Sequence, residues 1–133
     1  MQRMAELRPE AVVVSSSVKY VAGVNNPDLM SRLTLDEWRE GHRRLFRDLE
    51  AVGTRTWLIR DVPRASFDIP TCLARSGMAV WRLFGSGSCL FERAVGLHDE
   101  VFRAELDAAD GLPGVVMVDL SEAFCGPEHC QPM

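Results

Sequence analysis

The sequence predicts an α/β domain built on a parallel sheet, with helices layered on it as α/β/α. Three observations carry this. Short apolar runs stand at Ala11-Val12-Val13-Val14, at 55–60 and at Val115-Val116-Met117-Val118, and each stops at polar residues. A long amphipathic stretch fills 34–52, between the first two runs. The joins are short, so strand, helix and strand follow as a right-handed unit with parallel pairing.

Length and composition set the frame. The chain has 133 residues, enough for one domain with one core. It is 47% hydrophobic and 26% charged, as ordinary globular proteins are. The net charge is −4 with no long run of one sign, which excludes the basic footprint of a nucleic-acid binder. Arginine supplies all the basic residues but Lys19, which we read as coding bias. No stretch reaches the length of a membrane span, and no leader precedes the domain. An export signal is therefore expected outside these residues.

The elements follow in order. Residues 2–8 read as the tail of a helix closed by Pro9. Residues 11–14 are β-branched and suit a strand buried on both faces. Residues 18–33 read as a loop, marked by Gly23 and Asn25-Asn26-Pro27-Asp28. Thr34 and Glu37 form a capping box, and Leu33 with Trp38 a hydrophobic staple. Leu35, Trp38, Leu45, Phe46, Leu49 and Val52 make one apolar stripe, and Gly53 ends the helix. His42, near that stripe, reads as a packed histidine. The second strand then runs to Asp61, where Pro63 ends further pairing.

Residues 70–76 suit two helical turns, and 77–88 fit either a strand or a buried helix. A second long helix is expected over 90–109, with Phe91, Ala94, Val95, His98, Val101, Phe102 and Leu106 on one face. Gly111 and Pro113 stop it. The third strand ends at Asp119. Residues 120–124 can form one turn, and Cys125 to Cys130 close a tight loop.

Ligands of open α/β sheets sit outside the carboxyl ends of the strands. Ser15-Ser16-Ser17, Asp61 and Asp119 stand at those ends. Ser16, Ser17, Asp61 and Arg64 are therefore the crevice candidates, against the simpler reading of Asp61 and Pro63 as turn residues. A serine near an aspartate suggests hydrolase chemistry, but a nucleophile needs a base that a third group orients. The chain has no G-x-S-x-G elbow. Its histidines are His42 and His98, in expected helices, and His129, in the closing loop.

The four cysteines, Cys72, Cys89, Cys125 and Cys130, fit two disulfides and an oxidising compartment, with the connectivity left open by spacing. Their spacing is not that of a zinc site, and a disulfide accounts better for Cys125 and Cys130. No C-x-x-C redox motif is present.

The succession Val12-Val13-Val14-Ser15-Ser16, Leu58-Ile59-Arg60-Asp61-Val62-Pro63, Ile69-Pro70-Thr71-Cys72-Leu73, Val118-Asp119-Leu120 and Phe124-Cys125 before Cys130 resembles a known family. It is similar to the SGNH-type domain at the C-terminus of acyltransferase-3 membrane proteins. Those proteins O-acylate cell-surface polysaccharide, lipopolysaccharide or peptidoglycan. The resemblance spans most of residues 5–130. It implies a three-layer fold with a parallel sheet, of the SGNH-hydrolase (flavodoxin-like) type. It also implies an extracytoplasmic location, at the periplasm or the outer face of the cell membrane, and the pairs Cys72–Cys89 and Cys125–Cys130. The implied partners are a surface polysaccharide and an acyl donor, met through a membrane-anchored parent. No cofactor or metal is implied.

The departures bear on catalysis. The family's Gly-Asp-Ser block is absent, and so is its histidine block after the last cysteines. Its Gly-x-Asn-Asp block falls on Ser17-Val18-Lys19-Tyr20. No catalytic residue carries over. Residues 1–133 are therefore expected to be a partial domain, lacking the nucleophile strand and the histidine block, inactive alone and prone to self-association through a bare strand edge. Two other readings are a non-catalytic glycan- or protein-binding module of the same fold, and a flavodoxin-like nucleotide binder. The last lacks a Gly-rich phosphate loop and leaves the cysteines unexplained.

Overall fold

The computed structural model describes residues 2–21, 33–76 and 89–132. In chain order the elements are α1 (Gln2–Leu7), β1 (Ala11–Ser15), a 3₁₀ turn (Val18–Tyr20), α2 (Leu35–Ala51), β2 (Arg55–Ile59) and α3 (Ile69–Ser76). After these come β3 (Phe91–Glu92), α4 (Arg93–Leu97), α5 (Asp99–Ala109), β4 (Val115–Val118), α6 (Ser121–Phe124) and β5 (His129–Cys130). The expectation for 77–88, and most of the loop expected over 18–33, lie outside the described residues. The chain forms two compact units: residues 1–61 with 98–119, and residues 62–97 with 120–133.

The first unit holds a parallel sheet in the order β1-β2-β4, the α/β arrangement that the three apolar runs predict. Val13 pairs with Trp57, and Trp57 with Val116. α2 and α5 pack on each other, and the two cores lie with them. Phe46, Leu58 and Ala108 form one core, joined by Val14, Val115 and Met117. Trp38, Val101, Ala104, Val18 and Val21 form the other, with Leu33 against it.

α2 begins as its sequence dictates. Thr34 Oγ1 accepts from the Glu37 amide, and the Glu37 carboxylate accepts from the Thr34 amide, completing the capping box. The helix ends on Gly53 at φ 78°. The Gly53 amide donates to Glu50 O and the Thr54 amide to Leu49 O, a double closure that needs a left-handed residue.

Two expectations need correction. β1 is not buried on both faces. Val12 and Val14 turn inward, but Val13 is 65% exposed, in register with Trp57 at 42% and Val116 at 37%. The three lie side by side across one face of the sheet, the central strand included, so that face stands open to solvent among the described residues and alternate side chains of β1 point into it.

The single helix expected over 90–109 is three elements: β3, α4 and α5. His98 sits between α4 and α5 at φ 47°, a left-handed conformation that breaks the helical hydrogen bonds. The break resets the phase. Val101, Ala104, Glu105 and Ala108 are the buried face of α5, while Leu106 is exposed.

The second unit is small and cross-linked. Cys72 is bonded to Cys89, and Cys125 to Cys130. β3 and β5 pair antiparallel, Phe91 with Cys130 and Glu92 with His129. Leu97, Cys125 and Cys130 form its core, with Phe91 and Phe124 packed on them. Arg93 reaches Glu122 at 2.6 Å and the Gly126 carbonyl at 3.0 Å, which ties α4 to the closing loop.

Candidate functional site

The carboxyl ends of β1 and β2 carry the polar residues that the sequence singles out. β1 ends at Ser15, and Ser16 follows it directly. Ser16 Oγ donates to Glu105 Oε1 at 2.6 Å. Asp61 closes β2 and accepts, through Oδ2, the amide of Val18 at 2.9 Å. This bond fixes the start of the 3₁₀ turn that leads away from β1. Asp61 thus organises the exit of the neighbouring strand. Ser17 is half-buried and opens that turn, but its side chain makes no capping bond.

Glu105 is the centre of the cluster, and sequence reasoning missed it. It lies on the buried face of α5 at 2% exposure. Its Oε1 accepts from Ser16 and also from Trp38 Nε1 at 3.2 Å. His42 Nε2 stands 3.8 Å from the same oxygen. The signal was present: Glu105 falls at helical spacing with Val101, Ala104 and Ala108, so one carboxylate interrupts an apolar stripe. Trp38, placed by the sequence as a staple residue, does pack near Leu33, and its indole N–H finds a buried acceptor besides.

The protons of this cluster follow from its geometry. His42 is buried on the stripe of α2, and its Nδ1 lies 3.0 Å from the Trp38 carbonyl oxygen. A carbonyl cannot donate, so Nδ1 carries the proton. Nε2 is left facing Glu105 Oε1. Burial pushes the Glu105 carboxyl above the usual carboxylate range, and the negative charge of Asp61 adds to this. The hydrogen bonds from Ser16 and Trp38 and the attraction of His42 oppose the shift without cancelling it.

Arg60, at the end of β2, is a second focus. It is buried, pairs through Nη1 with Asp119 Oδ2 at 2.9 Å, and pairs through Nη2 with Asp99. Its guanidinium lies 4.5 Å from the centroid of the Phe102 ring. Asp119, the third strand-end residue, is therefore engaged with Arg60. Arg64 belongs to the second unit, where its amide donates to the Gly96 carbonyl at 3.0 Å. His129 is exposed in β5. Among the described residues no group of histidine, cysteine and carboxylate side chains has the arrangement of a metal site.

The arrangement holds the Ser16 hydroxyl on a buried carboxyl, while His42 directs its Nδ1 proton to the Trp38 carbonyl. Compared with models of protein families, the chain matches the SGNH domain (fused to AT3 domains) over residues 1–133. Searches of curated proteins and of solved structures returned no match.

Proposed function

The chain belongs to the family of SGNH domains fused to AT3 domains, an acyltransferase-associated module, and from that premise we propose that it forms the sheet and crevice wall of an extracytoplasmic O-acyltransferase. The acceptor is a sugar hydroxyl of a surface polysaccharide, lipopolysaccharide or peptidoglycan. The acyl donor is met through the membrane part of the parent protein. Two disulfides support an oxidising compartment.

One observation carries the division of labour: the bond from Ser16 to Glu105. A serine becomes a nucleophile when a base removes its proton and a third group orients that base. Here the hydroxyl proton points at the buried carboxyl of Glu105, on an oxygen that also accepts from the Trp38 indole. The imidazole nearest that carboxyl has its N–H directed to its own helix. The sequence contains no Gly-Asp-Ser. Ser16, Ser17 and Asp61 then serve as wall and scaffold, not as the reacting groups, and the 133 residues alone transfer no acyl group.

The test is turnover of p-nitrophenyl acetate by the purified chain, with and without a polysaccharide acceptor. The expected result is release at the rate of the blank, unchanged in Ser16→Ala. Turnover above the blank that Ser16→Ala abolishes overturns the reading.

A further inference from the structure

We propose that the second unit carries a preformed binding cleft for a short linear acyl chain; the acyl assignment rests on the acyltransferase reading above. The cleft has a volume of about 350 Å³. That lies at the small end of ligand sites, which run from roughly 300 to 1,000 Å³. It exceeds the ~150 Å³ that an apolar cavity needs to hold a benzene ring.

Its lining is chemically one-sided. Among the described residues, Val62, Pro63, Ile69, Phe91, Phe124 and Pro132 form the walls, and Gln131 supplies a carboxamide. These side chains offer few of the several partners that a sugar's hydroxyls need, and no charge for a phosphate. They suit a chain of methylenes with a single polar end, such as an ester carbonyl.

The cleft is also held open by covalent structure. Phe124 precedes Cys125, and Gln131 and Pro132 follow Cys130, so the Cys125–Cys130 bridge anchors both strands of that wall. Ile69 and Phe91 stand in the segments joined by Cys72–Cys89. Two prolines stiffen the rim. A site fixed in this way loses little freedom when a ligand enters.

Phe91 is a controllable wall. A Cβ placed on Gly96 would meet its ring at 2.6 and 3.0 Å, so the glycine sets where that ring lies. Phe91 also packs edge-on to Phe67, with ring centroids 6.2 Å apart.

The experiment titrates the isotope-labelled full chain with methyl acetate, butanoate, hexanoate and octanoate, and with primary alcohols of matching length, followed by amide chemical shifts. Supporting results are shifts at Ile69, Phe91, Phe124 and Gln131. Affinity should rise about fourfold for each added methylene until the chain outgrows the cleft. Esters should bind more tightly than alcohols of equal length. Phe124→Ala should move the limit to longer chains, and Gly96→Ala should weaken all of them. Shifts elsewhere, or no dependence on length, overturn the inference and leave the family reading intact. Equal binding of alcohols and esters overturns the acyl assignment. Should either variant fail to fold, the length series on the unaltered chain decides.

Discussion

A carboxyl group placed between a serine, an indole and an imidazole at 2% exposure is costly to ionise. The sign follows directly. The folded chain holds the Glu105 proton to higher pH than the unfolded chain does, so the folded state binds more protons above the ordinary glutamate value of 4.5. Stability from this residue is complete below that value and falls as pH rises through the raised folded value. Glu105→Gln keeps an acceptor for Ser16 and Trp38 and cannot ionise. It should match the original chain in acid and become the more stable of the two toward neutrality, read by urea unfolding at several pH values. A difference that fails to open toward neutral pH, or that favours the original chain there, would overturn the raised Glu105. Ser16→Ala should cost about 1 kcal/mol through the lost hydrogen bond, measured the same way. The sequence did place Ser16 and Asp61 at strand ends. It did not disclose Glu105, because a charged residue is ordinarily solvated and only its spacing with Val101, Ala104 and Ala108 sets it apart.

Local chemistry writes some elements almost completely. α2 has its cap, its staple and its glycine stop within the chain itself, and all three are found in place. Thr34→Ala should therefore cost about 1 kcal/mol, detectable as a lower urea midpoint with an unchanged slope. A change in slope would point to a different unfolded state instead. The parallel order of β1, β2 and β4 was legible for a similar reason, since short joins around one helix leave one handedness. The 90–109 segment shows where such reading stops. Its apolar residues are dense enough to fit one helix, but His98 adopts a left-handed backbone that no local residue preference requires. β3 is only two residues long and depends on β5, a partner 37 positions further on by the Glu92–His129 pairing. Pairing at that distance is set by the cross-linked fold around Cys130, not by the composition of residues 91 and 92.

At the scale of the whole molecule the two units are stabilised by different physics. The first has a sheet, two long helices and two apolar clusters. In the second, three of the four buried hydrophobic residues among those described are the half-cystines Cys89, Cys125 and Cys130, the fourth being Leu97. With few apolar side chains buried among its described residues, its order depends on cross-links that restrict the unfolded chain. The bridge with a sequence separation of 17 contributes about 3 kcal/mol on a chain-entropy argument, and the one with a separation of 5 about 2 kcal/mol. Thiol titration under denaturing conditions should find no free thiol before reduction and four after it, since no cysteine is free. Reduction should then act unevenly. Amides in 91–97 and 121–131 should lose their protection from hydrogen exchange. Those of β2, central in its sheet, should keep most of theirs, because packing and not covalent bonds holds them. Uniform loss across both units would mean that they fold as one cooperative body, and that the cross-linked unit supports the sheet as well as itself.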